Sequence, residues 1–417
     1  MFGFYAPMTR YSSWASVAFC AVVLLLTTGC AAEPEETAVA EEWPRSEPLV
    51  DDDVIAWADQ LEADSSAGDV NLFEKIDLRA VLELASVSPA EARPLREEFI
   101  AGELAKAEAE QGLLYSLLKK IESEGSSYHF LHLQHVEGQT RALFRVFDAE
   151  GRLNYYSFAL ARRGREVKVV DIYTASAGEC VSETVRRTFL PLVADANRDW
   201  LESVLGSSSA YVTHLKELVL YCMQVQNQEY AGALQTYENL PETLKHDKIV
   251  LQGRIAATQT LEDPTYNDAL AAYTEHHAND PSLAWVLLDA SLLREDYAAV
   301  LRAIDDLDRI VGGDPFLHTI RAHAHAALGD LATARVFLRR AIDEDPDMLE
   351  AYWTLLQHAL KQQDHAETLH VLRALSTEFG AEFDDLRTFP EYANFVETPQ
   401  YHAWLEFTTR GHRSESP

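Results

Sequence analysis

Residues 315–348 read PFLHTIRAHAHAALGDLATARVFLRRAIDEDPDM, and this stretch carries the strongest structural signal in the chain. Small or apolar residues stand where the two helices of a hairpin would meet, namely Ala322, Ala334, Leu338 and Ala341. Gly329-Asp330 interrupts the pattern in the middle, and Asp345-Pro346 ends it. The segments 281–314 and 349–382 have the same length and carry similar residues at matching positions. The sequence therefore predicts helical hairpins that repeat every 34 residues.

This pattern resembles the tetratricopeptide repeat (TPR), a family of stacked helix–turn–helix units. The resemblance implies an all-α TPR superhelix over residues 211–382, with three clear copies at 281–314, 315–348 and 349–382. Two degenerate copies would precede these three. Residues 383–408 are rich in aromatic side chains, and we expect them to form a C-terminal helical cap that covers the end of the stack.

TPR arrays present the first helix of each hairpin to a concave groove, so the resemblance also implies a surface that binds a peptide or protein. The groove positions of the family fall on Trp285, Asp289, Leu293, Phe316, His323, Glu350, Trp353, Gln357 and Lys361. Aromatic side chains among polar neighbours are typical of binding hot spots. In the alternative interpretation, Trp285 or Trp353 packs against the adjoining domain or against the cap.

The amino-terminal segment indicates export. The apolar run ASVAFCAVVLLL at residues 15–26 is followed by Thr27-Thr28-Gly29-Cys30. About a dozen apolar residues suit a signal peptide, whereas a membrane-spanning helix needs about 20. The small residues before Cys30 resemble the lipobox of bacterial lipoproteins. This resemblance implies a signal peptide at residues 1–29 and acylation of Cys30, with palmitate as a label. A plain secretory signal that is cut near Ala31 is the alternative.

The residues that follow Cys30 suggest a location and a linker. Ala31 stands where an Asp would favour the inner membrane, so the resemblance to Gram-negative lipoproteins favours the outer membrane. The protein would then be lipid-anchored and would face the periplasm. Residues 30–53 contain the cysteine and many carboxylates, which predicts an extended acidic tether between the lipid and the folded part.

The charge of the chain excludes one class of partner. Lys and Arg number 35 against 67 Asp and Glu, so the formal net charge is −32 at pH 7. A surface this negative repels phosphate backbones, and we expect no nucleic-acid partner.

Two cysteines, Cys180 and Cys222, would remain in the exported protein. An oxidising compartment would allow a disulfide between them. The sequence leaves open whether they form this bridge or stay as two separate buried thiols.

Residues 54–205 predict an α+β domain. Apolar residues at helical spacing indicate helices over 54–63, from Asp77, and over 90–122. Four strand candidates follow: Tyr128–Val136, Thr140–Phe147, Arg152–Ala161 and Glu166–Thr174. Because their connections are short and contain glycine, we expect a four-stranded antiparallel meander. Helices followed by such a sheet resemble the cystatin-like and nuclear-transport-factor-like cone folds, in which a curved sheet wraps a long helix.

Cone folds often hold a pocket, and this suggests an alternative function. Arg145 and Asp171 are expected on one face of the sheet, and Tyr156 beside them would complete the polar floor of a small-ligand pocket. The TPR array would then only support that domain. A solvated sheet face is the competing interpretation of the same residues.

The sequence predicts neither a metal, nor a cofactor, nor a catalytic site. In a strand, His129 and His135 would be about 20 Å apart and His132 would point the other way, so the three cannot share one zinc ion. Phosphate-loop, GxGxxG, CxxC, HExxH and GxSxG motifs are absent from the chain. We therefore expect a non-enzymatic, lipid-anchored envelope protein that acts as a scaffold or adaptor through its TPR groove.

Overall fold

The computed structural model describes residues 49–87, 93–122, 125–136, 139–194, 213–259 and 265–414. These residues form two compact units, one that ends at Asp289 and one that begins at Ala290. The expected signal peptide and Cys30 lie outside the described residues, as does the tether up to residue 48. Among the helices in these ranges, none is both long enough and apolar enough to cross a bilayer.

The helices before the sheet are α1 (Asp51–Ala67), α2 (Leu72–Lys75), α3 (Leu78–Ala85), α4 (Arg93–Glu108) and α5 (Gly112–Ile121). The helix expected from Asp77 is α3, and the Asp77 side chain caps it by accepting a hydrogen bond from the N–H of Ala80 at 3.0 Å. The single long helix expected over 90–122 is wrong. Glu110 has φ 57° and Gly112 has φ 85°, and these left-handed values separate α4 from α5.

In the described ranges the strands form one antiparallel sheet in the order β1-β2-β3-β4-β5. They are β1 (Ser127–Val136), β2 (Gln139–Phe147), β3 (Leu153–Arg163), β4 (Glu166–Thr174) and β5 (Glu179–Cys180). The expected meander of four antiparallel strands is confirmed. The sheet has in addition the two-residue β5, which pairs with β4 through Tyr173 and Thr174. The α+β character of this part of the chain is therefore clear.

One face of the sheet packs against the helices around a group of aromatic rings. Trp57 of α1 lies with its ring centroid 6.3 Å from that of Phe144 and 5.4 Å from that of Phe158. Apolar side chains of α1 and α5 complete this core, among them Val54, Ala58, Leu61, Leu114 and Leu118. Each large side chain buried there stabilises the fold by about 1.5–3 kcal/mol. The first face of the sheet is thus the core of the domain, and polar residues concentrate on the second face.

The rest of the described chain is helical. The helices are α6 (Val181–Ala194), α7 (Leu215–Gln226), α8 (Tyr230–Asn239), α9 (Glu242–Lys245), α10 (Lys248–Thr258), α11 (Thr265–His276), α12 (Leu283–Leu293), α13 (Tyr297–Val311), α14 (Pro315–Ala327), α15 (Leu331–Glu344), α16 (Leu349–Lys361) and α17 (His365–Glu378). Two 3₁₀ turns at Leu386–Thr388 and Pro390–Tyr392 lead into α18 (Pro399–Ser414). The segment expected to form a cap is therefore helical.

In the unit that begins at Ala290, helices recur every 34 residues. Helices α13, α15 and α17 begin at residues 297, 331 and 365, while α14 and α16 begin at 315 and 349. An aspartate precedes each of the first three and accepts a backbone N–H three residues on: Asp296, Asp330 and Asp364. The residue before each aspartate has a positive φ, 55° at Glu295, 85° at Gly329 and 54° at Gln363. The repeat thus extends to the conformation of its turns.

Packing between the helices follows from the small residues quoted first. Ala322, Ala334, Leu338 and Ala341 are all fully buried. Neighbouring helices pack in chain order, α14 on α15, α15 on α16 and α16 on α17. Alanine brings little bulk to a helix contact, so two helix axes approach closely wherever it lies between them.

Candidate functional site

The first helices of two successive hairpins carry the most accessible of the residues expected in the groove. Helix α14 contributes His323, and α16 contributes Trp353, Gln357 and Lys361 at intervals of four residues, which places these three on one side of the helix. Lys361 is exposed, and the other three are partly buried. We call the surface of these four residues the first-helix face. It combines hydrogen-bonding groups, an indole and a positive charge.

Other residues expected in the groove differ in exposure. Leu293 and Glu350 are exposed, as a binding role requires. Phe316 is only 6% exposed. Its phenyl ring stabilises the helix packing, so the expectation that Phe316 offers surface to a partner is wrong.

A histidine that the sequence did not single out lies behind the first-helix face. His358 follows Gln357 and is buried, and its Nδ1 atom has no hydrogen-bond partner among the described residues. Burial, together with His323, Lys361 and Arg335, lowers the pKa of His358 to about 4. Burial, with a contribution from Lys361, also lowers the pKa of His323. Both imidazoles are therefore neutral at pH 7, and Lys361 supplies the positive charge of the face.

Trp353 contacts the segment expected to form the cap. Its ring centroid is 5.7 Å from that of Phe383, and Phe383 in turn meets Trp404 edge-on at 5.4 Å. Part of the indole is therefore occupied by the chain itself, as the alternative interpretation has it. The remaining part is still open to solvent.

Trp285 of α12 does not offer a free surface. It is 5% exposed, and its ring centroid lies 5.8 Å from that of Tyr155 on β3. The expectation that Trp285 anchors a partner is therefore wrong, because the sheet domain already buries the apolar area of the indole. The alternative, packing against the adjoining domain, describes this residue correctly.

Asp289 lies one helical turn after Trp285 and has an unusual environment. Its carboxylate accepts a hydrogen bond from the Gln259 side-chain amide at 3.0 Å. Burial raises the pKa of Asp289 to about 7, and the hydrogen bond from Gln259 opposes that shift only in part. Near pH 7 this carboxyl group is therefore divided between its neutral and its charged form.

Strand register separates two of the residues expected to share a pocket floor. Arg145 lies opposite Tyr155, whereas Tyr156 lies opposite Phe144. Because Phe144 belongs to the aromatic core, Tyr156 points to the first face of the sheet and Arg145 to the second. The expected grouping of Tyr156 with Arg145 is wrong, and Tyr155 occupies the place that Tyr156 was expected to take.

Asp171 lies on the second face with Arg145. Its carboxylate accepts hydrogen bonds from the backbone N–H of Ser182 at 3.1 Å and from the Ser182 hydroxyl at 2.5 Å. Burial raises the pKa of Asp171, and the Ser182 hydrogen bonds together with the guanidinium of Arg141 counteract that effect. These groups connect Asp171 to the start of α6, so it stabilises the junction of sheet and helix.

The second face of the sheet is buried, which contradicts the interpretation that it is solvated. Tyr155 is 0% exposed, Ser157 2%, Asp171 6% and Arg145 7%. Trp285 covers Tyr155 at one place on this face. Polar residues are therefore enclosed here rather than facing open water.

The turn between β4 and β5 contacts the helical hairpins directly. Lys248 of α10 donates a hydrogen bond to the carbonyl oxygen of Gly178 at 3.2 Å and pairs with Asp280 at 2.8 Å. Asp280 also accepts hydrogen bonds from the backbone and the hydroxyl of Ser282. A Cβ atom added to Gly178 would lie 2.7 Å from Oδ1 of Asp280. The sheet domain and the first helical hairpins thus form one compact unit.

The two cysteines are present as thiols. The Sγ atom of Cys180 lies 3.9 Å from Nη1 of Arg141. Burial raises the pKa of Cys180 to about 12, so its thiol is protonated at pH 7 and is a weak nucleophile.

The described residues combine an antiparallel sheet domain with helical hairpins of constant period. Within them, no three His, Cys, Asp or Glu side chains are arranged to hold a metal ion. Comparison of the chain with family models, with curated proteins and with solved structures finds no match. The case for a function therefore depends on the residues described above.

Proposed function

We propose that the helical hairpins form a TPR-type array that binds a polypeptide partner through the first-helix face. The observation that carries this proposal is the 34-residue spacing of helix starts at residues 297, 331 and 365, with the same cap and turn conformation each time. Equal spacing orients successive first helices alike, so that their exposed side chains line up along one surface. A surface of this kind suits an extended or helical peptide.

The chemistry of the first-helix face favours a polypeptide over a small apolar ligand. Gln357 provides an amide donor and acceptor, and His323 provides a neutral imidazole, which are groups that pair with a peptide main chain. Lys361 adds an ammonium group at the edge. The open part of Trp353 adds apolar area of the kind found at hot spots. The protein acts in this proposal as a scaffold or adaptor and not as an enzyme.

The proposal places this scaffold at the outer membrane, held by a lipid on Cys30 and facing the periplasm. Its support is the lipobox-like sequence before Cys30 and the Ala31 that follows. Two or three acyl chains on one cysteine would anchor the protein stably. A Cys30→Ser variant should lose metabolic labelling with radioactive palmitate, and labelling equal to that of the unchanged chain would contradict the anchor.

A photo-crosslinking residue placed at Gln357 in living cells tests the binding surface. We expect a covalent adduct with a defined partner from this position, and a much weaker one from Val336, which is 63% exposed on the second helix α15. Adducts of equal yield from both positions would show that the first-helix face is not selective.

A paired substitution tests the same surface without a crosslinker. Lys361→Glu reverses the charge of the first-helix face and should weaken capture of the crosslinked partner at least about tenfold. Arg302→Glu makes the same charge change at an exposed position of the second helix α13 and serves as the control. Equal losses in the two variants would indicate a general charge effect and would contradict the proposal.

A further inference from the structure

Asp289 occupies a position from which a buried carboxyl group can meet a bound partner. It lies on α12, one turn after Trp285, so that both side chains project from the same side of the helix. Trp285 is covered by Tyr155, whereas Asp289 is only partly buried. The carboxyl group therefore lies next to the contact with the sheet and stays accessible.

The surroundings of Asp289 offer it hydrogen bonding but no positive charge. In the described residues, the groups that act on its carboxyl are the apolar surroundings and the side-chain amide of Gln259 at 3.0 Å. The nearby residues 260–264 read TLEDP and contain no Lys, Arg or His. Arg294, the next cation along α12, is exposed. A carboxylate that is removed from water without a cation is costly.

We propose that Asp289 binds the ammonium or guanidinium group of a lysine or arginine side chain of the partner polypeptide. The proposal rests on the proposed function, because it names the chemistry of the same partner. Charge complementarity carries it, since a partner cation would provide the opposite charge that the fold does not provide. Gln259 acts as a positioning residue that holds the carboxylate oxygen Oδ2 while the partner approaches Oδ1.

The titration of Asp289 provides a second readout. Burial raises the pKa of this carboxyl group to about 7 in the free protein. A partner cation favours the charged form, so binding releases a proton and requires the ionised carboxylate. Between pH 6 and pH 8 the ionised fraction of a group with this pKa rises about tenfold, and the affinity for a cationic peptide should rise about tenfold with it.

The test is an array of synthetic 15-residue peptides, in which each sequence appears once with a single Lys or Arg and once with norleucine at that place. The full chain, purified in detergent, is bound to the array at pH 6 and pH 8. It is compared with Asp289→Asn, with Gln259→Lys, and with Asp268→Asn, which removes an exposed carboxylate from α11. Gln259→Lys supplies an internal cation and should occupy the carboxylate.

We expect the unchanged chain and Asp268→Asn to prefer the Lys and Arg peptides over their norleucine twins about tenfold at pH 8 and much less at pH 6. Asp289→Asn and Gln259→Lys should bind both members of each pair alike at either pH. If peptides bind but Asp289→Asn keeps the preference, the role of Asp289 is overturned while the proposed function stands. If no peptide binds to any variant, the proposed function fails, and the role of Asp289 fails with it.

Discussion

Asp289 has a carboxyl group whose folded-state pKa, about 7, lies well above its usual value of 3.8. The folded chain keeps this proton over a pH range in which the unfolded chain has already lost it. The contribution of Asp289 to stability is therefore fully present below about pH 4 and is lost as the pH rises to about 7.

We predict that Asp289→Asn raises the free energy of unfolding by about 1–3 kcal/mol at pH 8, because asparagine has no charge to bury. The gain should shrink at pH 5, where the aspartate of the folded protein is protonated. Urea unfolding of both chains at the two pH values measures this difference. Asp268→Asn is the control, and a gain for Asp289→Asn that does not change with pH would contradict the assignment.

His358 should make the protein sensitive to acid. Its pKa of about 4 lies below the usual 6.5, so the stability it contributes is present above pH 6.5 and is lost as the pH falls towards 4. We predict that acidification from pH 7 to pH 4.5 costs the unchanged chain about 2 kcal/mol more than it costs His358→Leu. Thermal unfolding at the two pH values measures the difference, with exposed His370→Leu as control. Parallel losses in all three chains would refute this role.

Single residues of the site differ in how well the sequence predicts them. His323 and Lys361 follow from their position in the repeat. Tyr156 was assigned to the wrong face because a hairpin that places Tyr155 opposite Arg145 differs by one residue from one that would place Tyr156 there. A shift of one residue turns every side chain of a strand to the other face, and turn composition alone does not determine it.

At the scale of elements, the turns inside the hairpins store strain at two positions. Glu295 and Gln363 adopt the left-handed conformation that Gly329 adopts at the equivalent place. A residue with a Cβ atom pays about 1–2 kcal/mol there, while glycine does not. The sequence showed that glycine is missing from these turns, but not that the turns keep the same conformation without it.

We predict that Glu295→Gly and Gln363→Gly each raise the free energy of unfolding by about 0.5–1 kcal/mol, because release of strain exceeds the added entropy of the unfolded chain. Chemical denaturation measures both variants. The control is Ala366→Gly, an exposed position inside α17 that should lose about 1 kcal/mol. Destabilisation by all three glycines would show that the turns carry no strain.

The division of helices shows the same limit of prediction from sequence. The hairpins of the repeat region follow from apolar spacing because each helix is bounded by capping residues or by proline. The expected long helix over 90–122 has a regular apolar stripe as well, but Gly112 interrupts it with φ 85°. One glycine in a helical pattern is commonly tolerated, so its position alone did not reveal the break.

At the scale of the molecule, the contact between sheet and hairpins was not predictable. Gly178 and Asp280 are more than 100 residues apart in the chain, and no periodic pattern connects them. The contact is nevertheless tight, since a Cβ atom at Gly178 would lie 2.7 Å from Asp280 and 2.9 Å from Nζ of Lys248.

We predict that Gly178→Ala destabilises the protein by about 2–4 kcal/mol, because it adds steric overlap to the strain of a positive φ. Gly164→Ala is the matched control, since Gly164 has φ 62° but has open space where its Cβ atom would lie. It should lose only about 1 kcal/mol. Calorimetric unfolding of both variants measures the difference, and equal losses would mean that the β4–β5 turn does not hold the hairpins.

The constant spacing of helix starts determines which changes of chain length the protein tolerates. Excision of residues 315–348 would join Asp314, which now caps α14, to Leu349 at the start of α16, and the aspartate would cap the new helix. The shortened chain should keep its cooperative unfolding, whereas removal of 17 residues would bring a second helix to the place of a first. Gains and losses of length in this region should therefore come in whole modules.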